Sequence, residues 1–185
     1  QQFLFDERLL PFARPLFPSA RAATIMGLLV RHEDRHALHT AIAQYHAALQ
    51  SWFPGGEIIA LSHLYMGMEA LAPIANKELM QVHGKRSVLA RHWNVDRRNV
   101  SAELRRRVLF GGDTATFERA KEARDGFQHG SLPFQIIHDH AAAVRDETGR
   151  LLRVAILRFL RASEDDKSIL LAKPFDVVPS LRVDK

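Results

Sequence analysis

Arg124, Asp125 and His129 fall within one short segment, ARDGFQHG (residues 123–130), which closes on Gly130. An arginine supplies a permanent positive charge for an anion, an imidazole moves protons near neutral pH, and a carboxylate beside it can fix the imidazole tautomer. On an ideal helix His129 lies about 40° from Asp125, its i−4 neighbour, and about 140° from Arg124. The spacing therefore predicts a hydrogen bond between Asp125 and His129, with unwinding at Gly130 letting the ring swing towards Arg124. Arg124 itself interrupts a stripe made by Phe117, Ala120 and Phe127. Leaving such a charge buried and unpaired costs about 3–5 kcal/mol, so an acid or a phosphate should meet it. Glu69 is the natural partner, being the only acid between Ile58 and Ala75.

A second set of candidates is HEDRH, residues 32–36, which has the HExxH spacing of zinc hydrolases. Two charged residues, Asp34 and Arg35, stand where such a helix is normally buried beneath its metal, and Ile42 occupies the position of a third histidine. His39 and His46 lie further along the same stretch, and the segment reads as a solvated polar face rather than a zinc site. No metal and no other cofactor is expected.

The elements that must position these groups are helical. The opening LLPFARPLFP is too rich in proline for a regular helix and predicts an extended arm over residues 1–18. Ser19 then caps a long helix from about residue 20 to 52, ended by PGG at 54–56. A central, almost wholly apolar helix follows over about 57–79, with Pro73 expected to kink or interrupt it. Two short helices break near residues 94–99, and Asp113 or Thr114 caps a helix that runs to about Gln128 and stops at Gly130. Ile137, Ala141, Val144, Thr148, Leu151 and Ala155 recur at steps of three and four, predicting a last long helix over about 133–162 with Gly149 as its weak point. The tail from residue 163 carries two short β-like runs separated by prolines, either covering the core or adding a strand to a partner through LLAKPF.

The expected architecture is a single all-α domain spanning 1–185, an up-and-down helical bundle whose core covers about 20–162. A hydrophobic content of 46% over 185 residues is enough for one packed core and makes two full domains a tight fit. Cysteine is absent, which excludes disulfides and thiolate zinc sites and fits a cytoplasmic location. The start, QQFLFDERLL, places acids where a signal peptide would be apolar, and the longest apolar run is broken by His63 and Glu69, so no membrane span is expected.

In RDGFQH an arginine and an acid are followed, after three residues, by a histidine. This resembles the RxxxxH signature of HEPN domains (higher eukaryotes and prokaryotes nucleotide-binding), with the common following glycine as HG. The upstream order is also similar: an apolar helix with one glutamate, SHLYMGMEAL, then a basic segment, KRSVLARHW, then the signature helix. The layout looks most like the Apea-like branch and covers about residues 57–162. The resemblance implies a dimeric helical bundle and, in active members, metal-independent endoribonuclease chemistry. It assigns Arg124 and His129 as the catalytic pair, Asp125 as the polar residue after the arginine, and Glu69 as the acid of the second helix. Asparagine is frequent at the position of Asp125, so a carboxylate there is expected to reduce or retune activity, and Gly126 weakens the signature helix by about 1 kcal/mol relative to alanine. Many family members bind without demonstrated cleavage. A non-catalytic module of a defence or toxin–antitoxin system, with nucleotide, RNA or an antitoxin as partner, is the alternative.

Residues 85–107 hold eight Lys or Arg against two acids, enough to account for the formal +5 of the whole chain. Such a strip can guide an RNA backbone, with Lys85, Arg86 and Arg91 as candidate contacts, or be an ordinary solvated helix face. Trp93 beside it can stack on a base or fill the core. His138, in HDH at 138–140, is a further candidate for touching substrate.

Overall fold

A computed structural model describes residues 19–172; the expected arm at 1–18 and the end of the tail from residue 173 lie outside the described residues. Within them the chain is all-α: α1 (Ser19–Arg31), α2 (Arg35–Gln50), α3 (Glu57–His83), α4 (Arg86–Trp93), α5 (Val100–Leu104), α6 (Thr114–His129), α7 (Phe134–Phe159) and α8 (Glu164–Leu171). A 3₁₀ turn, Arg97–Asn99, precedes α5, and a π turn, Arg105–Leu109, continues it. No strand occurs among the described residues.

Cross-helix pairs fix the directions. Gln44 meets His63 at 2.7 Å and Asp34 meets Lys77 at 3.4 Å, so α2 and α3 are antiparallel. Glu57 faces His138 and Glu78 faces Arg158, so α3 and α7 run the same way. The connection from His129 to Phe134 is short, and Glu122 faces His140, which makes α6 antiparallel to α7. Helices α2, α3, α6 and α7 thus form an up-and-down bundle with α3 touching the other three. Its core joins Leu38 and Ala41 of α2, Leu61, Leu64 and Met68 of α3, Phe117 of α6, and Leu152 and Phe159 of α7. The chain's one helix of membrane-spanning length and hydropathy among the described residues is α3, and it is this central helix of the bundle.

Four expectations are corrected. The predicted helix over 20–52 is two helices, because the HED segment turns: the Asp34 amide donates to His32 Nδ1 at 3.0 Å, and Lys77 holds both Glu33 and Asp34. Short polar side chains offer the backbone such local alternatives to helix. The HExxH spacing therefore does not lie on one helix. Pro73 does not interrupt α3, which continues to His83. Pro73 is on the exposed side, where water can serve the carbonyl it leaves unpaired, while Leu71, Ile74 and Ala75 bury the other side. Phe127 is 50% exposed rather than part of the buried stripe, which instead passes through Ala123 and Gly126. Residues 164–171 are helical, not β-like: Ser163 caps α8 by accepting from the Asp166 amide, and three acids fill the first turn.

Two features of the basic segment bear on stability. The π turn puts Leu104 and Leu109, five residues apart, both in the core, where regular α geometry would have paired Leu104 with Val108. Glu103 accepts hydrogen bonds from both Arg106 and Arg107, and chiefly Arg106 lowers its carboxyl from 4.5 to about 2. A depressed carboxyl stabilises the fold above its unfolded pKa and loses that contribution as pH falls through the folded one. Thermal melting is therefore expected to fall between about pH 4.5 and about pH 2, and Glu103→Gln to flatten that slope.

Candidate functional site

The site is built where α6 crosses α3. Asp113 caps α6 by accepting from the Thr116 amide at 3.0 Å, and Gly130 ends it in the left-handed region at φ 61°, as the sequence predicts. Between these ends Ala120, Ala123 and Gly126 bury one face. A Cβ on Gly126 would lie 3.0 Å from Leu132 and 3.2 Å from Ile137, so glycine is what lets the loop and the start of α7 close against the signature helix. The helix weakness attributed to Gly126 accompanies a close packing contact.

Arg124 sits at the rim of that face, 24% exposed, and meets Glu69 as predicted: its Nη2 lies 3.3 Å from Oε1 and 3.4 Å from Oε2. Tyr65, one turn earlier on α3 and buried, places its ring beneath the guanidinium, 5.6 Å from ring centre to Cζ. Burial pushes the Tyr65 hydroxyl above its ordinary pKa. Arg105, the first residue of the π turn, brings a second guanidinium to the same place. Its Nη1 lies 3.1 Å from Glu69 Oε1, and its Cζ is 6.0 Å from the Tyr65 ring centre. Nothing in the pattern of residues 105–107 distinguishes Arg105 from Arg106 and Arg107, so sequence reasoning missed it. The i, i+4 spacing of Tyr65 and Glu69 was the visible signal that the two share a face.

Asp125 does not pair with His129. It accepts from Arg124 Nη1 at 2.9 Å and lies 3.2 Å from Lys121 Nζ. Two cations within reach compete better for a carboxylate than one imidazole at a fraying helix end. Burial alone would raise the Asp125 carboxyl, but Arg124 and Lys121 outweigh it and hold it below the usual carboxylate range. His129 is exposed, one position before Gly130, and its side chain makes no hydrogen bond or ion pair among the described residues. It lies about 7.5 Å further along the axis than Arg124, towards the Glu57 end of α3.

The remaining candidates lie elsewhere. Helix α4 packs against α3 and α5 and carries Lys85 at its start, then Arg86 and Arg91. Arg86 donates to Ser101 at 2.7 Å, while Lys85 and Arg91 are exposed. Trp93 is half-buried against the core, with Arg107 5.7 Å over its ring. His138 faces Glu57 at 3.4 Å, which is about 18 Å along α3 from Glu69, so it is not in the Arg124 cluster. His140 turns to Glu122 instead. Among the described residues no group of three or more His, Asp or Glu is arranged to hold a metal ion.

Chemically, the cluster offers two guanidinium groups fixed over an aromatic ring at a partly open surface, and an unengaged imidazole one and a half turns away. No protein-family model, no curated protein and no solved structure matches the chain.

Proposed function

We propose that the chain is an RNA-binding, HEPN-like protein of the Apea-like type that cleaves RNA as a metal-independent endoribonuclease, working as a cytoplasmic homodimer. The observation that carries the reading is the state of the signature pair: Arg124 is locked in place by Glu69 and Asp125 at the rim of the bundle, while His129 is left exposed and unengaged at the helix end. In the proposed reaction the RNA 2′-oxygen attacks the adjacent phosphorus, the bond to the 5′-oxygen breaks, and a 2′,3′-cyclic phosphate and a 5′-hydroxyl result. One His129 takes the proton from the 2′-hydroxyl and the His129 of a second copy gives one to the departing 5′-oxygen. Arg124 stabilises the charge that builds on the phosphate. A two-fold pairing is needed because each chain offers only one such histidine. Lys85, Arg86 and Arg91 would guide the backbone electrostatically, and His138 would touch RNA only beyond the reacting phosphate.

One observation favours a second reading. Both Nη groups of Arg124 are already engaged by carboxylates, as in a purely structural clamp. On that reading the chain is a non-catalytic nucleotide- or RNA-binding module, or the partner of an antitoxin. Incubation of a single-stranded RNA with the protein in EDTA separates the two: strand scission supports the nuclease, and saturable binding without turnover supports the module.

A further inference from the structure

Arg105 has no place in the signature, yet it shares with Arg124 both a carboxylate and an aromatic platform. Glu69 Oε1 accepts from Arg105 Nη1 at 3.1 Å and from Arg124 Nη2 at 3.3 Å, and both guanidinium groups lie over the Tyr65 ring. One carboxylate cannot neutralise two guanidinium ions. Counting Lys121 and Asp125, the cluster holds three cations against two anions. It is open to solvent: Arg105 is 23% exposed and Glu69 30%. The Nε atoms of both arginines are buried without a partner, so any ligand must be met by the outer Nη groups. Arg105 Nη2 makes no hydrogen bond among the described residues and is therefore available. Finally, Arg105 opens a π turn, an uncommon backbone form that is frequently found at functional sites.

We infer that Arg105 and Arg124 form a two-arginine site for a phosphodiester group of single-stranded RNA, in which Glu69 is the resident anion that the incoming phosphate displaces. This rests on the reading of Arg124 as a phosphate-binding residue. Planar guanidinium groups match phosphate oxygens in pairs, and the Tyr65 face beneath them keeps both in position when the carboxylate lets go. Glu69 thereby orders the two arginines in the free protein and weakens binding by competing for them.

The test uses a 2′-O-methyl oligoribonucleotide, which lacks the attacking hydroxyl and so reports binding alone, titrated over a range of salt concentrations. Arg105→Gln is expected to weaken binding about tenfold at low salt. It should also reduce the slope of log K against log salt by about 0.7, the value of one phosphate contact on a single strand. Arg105→Lys should keep the slope while recovering only part of the affinity. Glu69→Gln, which can still accept a hydrogen bond but carries no charge, should bind several-fold more tightly. Binding by Arg105→Gln within about twofold of wild type, with an unchanged slope, overturns the inference. If that variant does not fold, Glu69→Gln decides: tighter binding supports the site, and equal or weaker binding overturns it. Cleavage of the all-ribo oligonucleotide, measured in parallel, keeps the two claims apart. The Arg105 binding effect without wild-type cleavage upholds this site and ends the nuclease reading; wild-type cleavage without the binding effect overturns this site alone.

Discussion

His129→Ala is expected to lower RNA turnover by about 10²- to 10⁴-fold, the range over which a positioned acid–base group contributes to a chemical step. The same variant should melt within about 2 °C of wild type. This follows from position: His129 is exposed at the last residue of α6, and no hydrogen bond or ion pair of the described residues depends on its side chain. RNA affinity should change little, because His129 stands apart from the arginine cluster that meets the phosphate. The measurement is single-turnover cleavage with protein in excess, beside a binding titration and a melting curve. A merely structural histidine would show the opposite pattern, with turnover intact and the melting temperature lowered.

Arg124→Ala should lose about 10²- to 10³-fold in turnover, comparable to removing one donor that faces developing charge. Its cost to the fold should be about 1–2 kcal/mol, below that of an orphaned buried charge. The reason lies in the partners it leaves behind: Glu69 keeps Arg105 at 3.1 Å, and Asp125 keeps Lys121 at 3.2 Å. Arg124→Lys should restore the stability and only a small part of the turnover, since one ammonium cannot span both Glu69 and Asp125 while presenting a planar edge to phosphate. Chemical denaturation gives the first quantity and cleavage kinetics the second. Equal recovery of both in the lysine variant would mean that Arg124 acts as a charge and nothing more.

How far these residues were legible beforehand depends on the kind of interaction that places them. The Glu69–Arg124 pair was readable because Glu69 is an isolated charge on the apolar helix α3 and Arg124 borders the buried face of α6, and a half-buried carboxylate and guanidinium have few other solutions. The ends of α6 were readable because Asp113 and Gly130 act locally, one as an acceptor for the first turn and the other through its left-handed backbone. The partner of Asp125 was misjudged because ideal helix angles describe where side chains leave the backbone, not where long ones end. Arg124 and Asp125 are adjacent and leave in different directions, yet the arginine is long enough to fold back to the carboxylate.

Phe127 and Arg105 show a different difficulty. A period of 3.6 residues places Phe127 on the buried face, but Leu132 and Ile137 pack onto Gly126 instead, and the phenylalanine is left half in solvent. Arg105 faces Glu69 from the first residue of a π turn, a local change of pitch that helix periodicity does not describe. The break at His32–Asp34 was hidden for a related reason: a polar turn stabilised by His32 Nδ1 and by Lys77 from another helix has no apolar signature. The all-α class, in contrast, followed from repeated apolar spacing over long segments, which a few local exceptions do not disturb.

The most direct test of the account is the chemical nature of the ends produced when the purified protein is incubated with a single-stranded RNA in EDTA. Attack by the 2′-oxygen predicts a 2′,3′-cyclic phosphate on one fragment and a 5′-hydroxyl on the other, with the products absent for His129→Ala. Intact RNA, or fragments carrying a 5′-phosphate, would contradict it.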